Sequence, residues 1–337
     1  MEIMTEKINT AENIAEEINS KQKELFIRYG SAASEAMFDF PCNYFQIPDG
    51  TGFIAYRIEF NCAIIFGDPI CPSEEQTKLT QEFHKFCTAS ALSVIYITVS
   101  EGFKDWLHEH TDFGKISIEV CEELVFDPLT TPNSFSNRLL HRVDKAIKHG
   151  LTFHEYQPID KKIEKSLLDL GDKWHKSIKG PHLYLGHLNF FESYIGKRWF
   201  YVKDGENITS MVMLSKLEAH GGWLLKFLAI LPNSFQETSE FLMVSLLKTL
   251  QKENCLFLSK GMLPVDQLGE IRGVGPFSTL LFKSTYKVIN HFLKFQIHKE
   301  YWKRYNPKKS PSYLIFSNSR IGIKEIRAMN KVFKMEN

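Results

Sequence analysis

No uncharged apolar run in this chain approaches the ~18 to 20 residues that a membrane span requires; the strongest, Cys62 to Gly67 and Val94 to Val99, are strand-length. No crossing of a bilayer is expected. Met1 to Glu24 carries six acids against three lysines and has no apolar targeting core, so the expected compartment is the cytoplasm. The six cysteines include no CxxC pair. Scattered among apolar neighbours, they read as buried thiols, which excludes a disulfide framework and a zinc knuckle. His108-Glu109-His110 is the one tight histidine pair, and it lacks the further ligands of a zinc site; it reads as a solvated helix end. There is no GxSxG, HExxH, GxxxxGK[ST] or GxGxxG, so nucleotide hydrolysis and zinc proteolysis lose their usual signatures.

What is present is enough for about two folded domains: 337 residues, 43% hydrophobic and 24% charged. Net charge is +1, but Lys283 to Asn337 holds 13 basic and 3 acidic residues. A cationic C-terminal segment attracts phosphates, whether of RNA, of anionic lipid or of a cofactor.

Apolar spacing predicts a helix over Asn9 to Tyr29, then strands at Tyr44 to Ile47, Gly52 to Phe60 and Cys62 to Phe66. A helix over Ser73 to Thr88, opened by a serine cap, leads to a buried strand at Ser93 to Val99. The second half repeats this order. Strands at Lys197 to Val202, Thr209 to Leu217 and Gly222 to Ile230 precede a helix at Thr238 to Lys252 and a strand at Leu256 to Ser259. A duplicated strand, helix, strand unit follows. The turn formers of Asp127 to Ser134, before a helix at Phe135 to Gly150, place the joint. The expected fold is α+β, with one unit over 1–132 and a second over 133–337 that ends in an amphipathic stretch at Thr279 to Tyr301, a strand at Tyr313 to Phe316 and a basic helix from Gly322 to Lys334.

Glu270-Ile271-Arg272-Gly273-Val274-Gly275 resembles the R/Q-x-x-G-x-G/A loop of acetyltransferases of the GNAT fold, whose amides hold the pyrophosphate of coenzyme A. On that resemblance Arg272, Gly273 and Gly275 are cofactor-binding candidates. Glu270 stands at the loop's first position, where its charge repels phosphate, and Pro276 lacks an amide proton.

Several further segments, taken together, resemble the synthase domain of phosphatidylglycerol lysyltransferases. They are FGDPI (Phe66 to Ile70), RVDKAIKHGLTF (Arg142 to Phe153), Trp174 followed by LYLGHLNFF (Leu183 to Phe191), SKGMLPVDQLG (Ser259 to Gly269) and FQIHKEYWKRYNPKKSPSYLIF (Phe295 to Phe316). The resemblance implies a tandem GNAT fold that moves an aminoacyl group from tRNA to a lipid. Two departures bear on its chemistry. Where the family carries an acid and, three residues on, an arginine, this chain has Lys226 and Ala229. A lysine there repels the ammonium that an acid would hold, which argues against lysine as the transferred group. Gly186 is followed by His187 in place of arginine.

Aminoacyl esters are already activated, so transfer needs positioning, a path for one proton and donors for the oxyanion. The catalytic candidates are Lys226, Ser259 and Asp266; Trp174, Gly186, His187 and Lys260 are candidates for substrate contact. Arg142 and Lys145 on one helix face, with Lys299, Lys303 and Lys308 in the basic segment, suit phosphates of tRNA or of an anionic phospholipid surface. Trp302 and Tyr305 have the chemistry to stack on an unpaired base, and Glu218 with His220 reads as a polar hairpin tip. Three functions follow: an aminoacyl or acyl transferase with aminoacyl-tRNA as co-substrate and no bound cofactor; an N-acyltransferase using coenzyme A; or a catalytically inactive module binding anionic membrane or RNA.

Overall fold

The computed structural model describes residues 20–38, 41–158, 160–177, 191, 193–293 and 296–333, with the side chains at 281, 285, 288–293, 296–299 and 333 outside that description. The chain opens on helix α1 (residues 20–29) and a 3-10 turn, Ser34–Phe38. Strands β1 (Asn43–Phe45), β2 (Ile54–Glu59) and β3 (Cys62–Phe66) lead through helix α2 (Gln76–Ala89) to β4 (Ser93–Ser100), α3 (Glu101–His110) and β5 (Ile116–Phe126). After a turn at Thr131–Ser134 come α4 (Asn137–His149), β6 (Thr152–Glu155), α5 (Lys161–Ser177), β7 (Lys197–Asp204), β8 (Asn207–Leu217) and β9 (Gly222–Ile230). Then follow α6 (Thr238–Lys252), β10 (Phe257–Pro264), the short β11 (Ile271–Arg272), α7 (Pro276–Leu293), α8 (Gln296–Lys303), β12 (Lys308–Phe316) and α9 (Ile323–Phe333).

Local chemistry sets several of these boundaries. Ser136 caps α4 by accepting the Leu139 amide at 3.2 Å, and Gly150 ends that helix at φ 101°, a left-handed conformation in which a side chain is strained. Ser100 caps α3 in the same way. The predicted serine cap at Ser73 is not formed: α2 starts at Gln76 behind Glu75, whose carboxylate instead accepts the Thr51 amide at 2.8 Å and ties the helix to the preceding turn.

The duplication read from the sequence is visible as two crossovers. β3–α2–β4 and β9–α6–β10 each join neighbouring parallel strands, within a sheet ordered β1-β2-β3-β4-β12-β5-β10-β9-β8-β7-β6. The units exchange strands at the centre. β5 follows the first crossover yet pairs with β10 of the second, while β12 ends the second and pairs with β4 of the first. β5 and β12 also pair with each other, antiparallel, over Ile116 to Val125. The expectation that all of 133–337 belongs to the second unit therefore meets a different arrangement: β12 and α9 lie in the first. The reason is burial. Tyr313 and Ile315 fill the core under α2 and α3, while Leu314 and Phe316 fill the opposite face with Ala328 and Val332 of α9. The exchange makes the two halves one continuous sheet.

Among the described residues, no helix is long and apolar enough to cross a membrane, and no group of three or more His, Cys, Asp or Glu is placed to hold a metal ion. All six cysteines are unbridged, with Cys42 and Cys121 half-buried and the rest buried.

Candidate active site

β9 and β10 run together only as far as Leu224 and Ser259; beyond that point β10 continues against β5 and β9 against β8. Two irregularities accompany the parting. Lys260 is an extra residue between the paired Ser259 and Gly261, and Lys226 is one between Leu225 and Phe227. A bulge re-aims a side chain and ends pairing, so β9 and β10 part at the joint of the units.

The polar groups of this joint come from both halves. Ser259 is fully buried; its hydroxyl donates to Glu123 Oε1 of β5 at 2.5 Å and accepts the Gly261 amide at 2.9 Å. Burial raises the Glu123 carboxyl above its usual range, against the lowering effect of the Ser259 hydrogen bond. Asp68, in the turn that ends β3, accepts the Ser100 amide at 2.9 Å and the Ser100 hydroxyl at 2.6 Å. Burial raises Asp68 as well; the hydrogen bonds from Ser100 oppose this, the Glu123 charge adds to it, and His220 works in the other direction. Both carboxylates remain half-exposed. Two neighbouring acids held above their ordinary pKa, one on a buried serine, have the chemistry of proton acceptors.

A second cluster lies against the neighbouring strands. Glu35, on the 3-10 turn before β1, is 4% exposed and places Oε1 2.9 Å from Lys226 Nζ and 3.2 Å from Lys197 Nζ. Ser215 Oγ donates to the same oxygen at 3.3 Å and also accepts from Lys197. Burial pushes the Glu35 carboxyl up, but the two lysines outweigh it and leave it below the ordinary range. Lys226, a catalytic candidate from the sequence whose charge would repel a cationic amino acid, is thus held by a carboxylate from the N-terminal segment. Trp174 stands near, its ring edge-on to Phe227 at 4.7 Å.

The other predicted residues are more dispersed. Ser259 and Asp266 are not brought together: Asp266 lies beyond the far end of β10, roughly 20 Å along the strand at ~3.3 Å per residue. Lys260 packs its ammonium 5.4 Å from the Trp302 ring centre, and burial lowers its pKa to about 8. Trp302 and Tyr305, at 4% and 0% exposure, are core residues under α6 and stack on no open surface. Arg142 is committed to Glu240, 2.7 Å away and 1% exposed, a carboxylate it shares with Arg304. Lys303 pairs with Glu300. Lys145 and Lys308 stay exposed. Gly186, His187 and the Lys299 side chain lie outside the described residues.

The glycine loop is held against the sheet. Ile271 and Arg272 form β11 against β5, the Arg272 guanidinium is 2.8 Å from Glu270, and a side chain at Gly273 would stand 1.8 Å from the Lys115 carbonyl. The loop's shape serves the sheet.

Glu123, Asp68, Ser100 and Glu35 had no role assigned from sequence. The signal for Glu123 was available in β5 itself, where Ile116, Ile118, Leu124 and Phe126 mark a buried strand with an acid inside it.

Comparison with known proteins settles the lineage. Residues 24–316 match the profile described as phosphatidylglycerol lysyltransferase, C-terminal. The chain belongs to this family. A phosphatidylglycerol lysyltransferase of Staphylococcus xylosus is 23% identical over 319 residues, covering 92% of this chain and 36% of the relative. The chain therefore spans about a third of the length of the curated relatives it matches. Among solved structures, L-PGS from Bacillus licheniformis superposes with a TM-score of 0.72 at 16% identity, covering 95% of this chain and 97% of that one. The C-terminal domain of a putative lysylphosphatidylglycerol synthetase from Agrobacterium fabrum gives 0.71 at 16%, covering 93% and 95%. These likenesses carry the shared fold, in which this chain exchanges β5 and β12 between its two units.

Proposed function

We propose that this chain transfers an aminoacyl group from an aminoacyl-tRNA to a hydroxyl of a phospholipid, at the joint between its two units. The observation that carries the reading is the Ser259–Glu123 hydrogen bond across β10 and β5, with a second raised carboxylate, Asp68, supplied by the turn after β3. Family membership supports the class of reaction, and the lysyltransferases among the relatives supply the acceptor type.

The chemistry asks little of the protein beyond placement. The acceptor hydroxyl attacks the ester carbonyl and loses its proton to Glu123, with Asp68 stabilising that protonated form by its own nearby charge. The new ester C–O bond forms as the bond to the tRNA ribose oxygen breaks, and that oxygen leaves with the proton. Ser259 holds the Glu123 carboxylate in position. Exposed Lys145 and Lys308 suit the phosphates of the donor.

The test is transfer of radiolabelled amino acid from a panel of aminoacyl-tRNAs to phosphatidylglycerol vesicles. Label in the lipid phase with at least one aminoacyl-tRNA, lost in Glu123→Gln, is the expected result. No transfer with any member of the panel, together with no tRNA affinity at low salt, overturns the reading.

A further inference from the structure

We infer that the outer faces of α7 and α9 form a docking surface for an anionic lipid bilayer. Both helices cover the same face of the first unit. Phe282 and Tyr286 of α7 and Ala328 and Val332 of α9 pack into one apolar cluster with Ile64, Ile95, Ile118 and Leu314 of the sheet. Helices packed on the same face of one sheet turn their outer surfaces to the same side.

Those outer surfaces are apolar where a solvated helix is polar. Phe277 and Leu280 of α7 are 81% and 65% exposed, and Ile323 and Ile326 of α9 are 76% and 51% exposed. The spacing of three places each pair on one stripe. Ile58 of β2 and Phe60 of the turn after it, both 46% exposed, extend the α9 patch, and Arg327 lies over the Phe60 ring at 5.1 Å.

The charge around these residues selects the partner. The sequence of α7 contains lysines and no acid; Lys283 and Lys287 are exposed. On and beside α9, Arg320, Lys324 and Arg327 are exposed, while the helix's one acid, Glu325, is 2% exposed and turned inward to the Gly322 amide and the Asn318 side chain. Aliphatic and aromatic tips beside bases, with no exposed acid on either helix and the exposed acids Asp266 and Glu270 confined to the segment before α7, match a surface whose phosphates lie above hydrocarbon: the tips enter the acyl boundary and the bases meet the headgroups. Nucleic acid offers the phosphates without the hydrocarbon, leaving the four apolar tips in water.

Docking is measured without turnover, so the inference stands or falls apart from the transferase reading. The full chain is floated with vesicles of phosphatidylcholine containing one third phosphatidylglycerol, and with vesicles of phosphatidylcholine alone. The wild type is expected to float with the anionic vesicles. Phe277→Ser with Leu280→Ser, or Ile323→Ser with Ile326→Ser, lowers the partition about tenfold, as expected for two apolar tips withdrawn from lipid. Lys283→Glu with Arg327→Glu removes the preference for anionic vesicles. All these side chains are exposed, so the thermal midpoint stays put. As a readout that removes nothing, Phe277→Trp gives a blue-shifted emission with anionic vesicles. Binding unchanged in both serine pairs, absence of the wild type from anionic vesicles, or an unshifted Trp emission on bound vesicles overturns the inference, as does binding to tRNA that depends on these residues while vesicles are ignored.

Discussion

Lys226 Nζ of β9 lies 2.9 Å from Glu35 Oε1, a carboxylate that arrives from a 3-10 turn nearly two hundred positions earlier in the chain. The strand that carries an acid in the resembling family carries a base here, and the opposite charge is supplied by a different segment. Because the two lysines share one buried carboxylate, the cluster has a structural role.

Glu35→Ala leaves Lys197 and Lys226 without that carboxylate and is expected to destabilise the fold by about 3 kcal/mol, read as a lowered thermal midpoint. The pH dependence follows from the lowered Glu35 pKa. A carboxyl held below its ordinary value of 4.5 contributes stability that is present above that value and is lost as pH falls through the folded pKa. Acid melts of the wild type should therefore show a loss below about pH 4.5 that Glu35→Gln does not share. Parallel acid profiles would contradict the assignment.

For Asp68 and Glu123 the sign is opposite. Each carboxyl is raised in the fold, so folding takes up protons and stability falls as pH rises from the ordinary carboxyl range through the raised values. Asp68→Asn and Glu123→Gln should hold stability steady or raise it at pH 7 while lowering transfer on the order of 100-fold or more. Denaturant melts beside single-turnover rates separate the two effects. Loss of stability along with activity would assign these groups to the scaffold.

Lys260 makes a pH-dependent case of its own. Its pKa falls to about 8 in the fold, so below that pH the buried ammonium opposes folding, and the penalty is relieved as pH rises from about 8 to its ordinary 10.5. Lys260→Met is expected to stabilise the protein below pH 8, by up to about 3 kcal/mol less whatever the contact with Trp302 contributes. Between pH 8 and 10.5 the gain should shrink. A constant difference across that range would show that the ammonium is better solvated than its surroundings imply.

Arg142 tests the boundary between a binding surface and a core. Arg142→Ala removes a partner from Glu240, which is 1% exposed, and should cost about 3 kcal/mol. Lys145→Ala, one turn along the same helix and exposed, should leave stability unchanged and act on tRNA affinity alone. Equal effects of the two on tRNA binding, with no change in melting, would restore Arg142 to the phosphate face.

The legible part of this molecule was the periodic part. β3, β8 and β9 and the helix α6 carry unbroken apolar patterns, and their bounds agree with the sequence reading to within two residues. β5 went unread because Glu119, Glu122 and Glu123 interrupt its alternation, and a bulge opposite Ser312 and Tyr313 shifts the pattern midway. Since β5 is the strand the two units share, Glu123 was missed with it. Charge also misled where distance along the chain hides a partner: Arg142 and Lys226 looked open to ligands, while Glu240 and Glu35 lie 98 and 191 positions away. Ser259 and Asp266 were singled out together because their segment carried the family resemblance, although most of a strand separates them.

The central claim, that the strand-exchanged joint is where a proton leaves the acceptor, is tested most directly by single-turnover aminoacyl transfer to phosphatidylglycerol vesicles, comparing wild type with Glu123→Gln across pH 5 to 9. The wild-type rate should rise with pH as the raised carboxylates ionise and then level off, while Glu123→Gln, folded and still binding tRNA, should be on the order of 100-fold slower and lack that rise. A Glu123→Gln enzyme as fast as the wild type, with the same pH profile, would place the chemistry elsewhere in the chain.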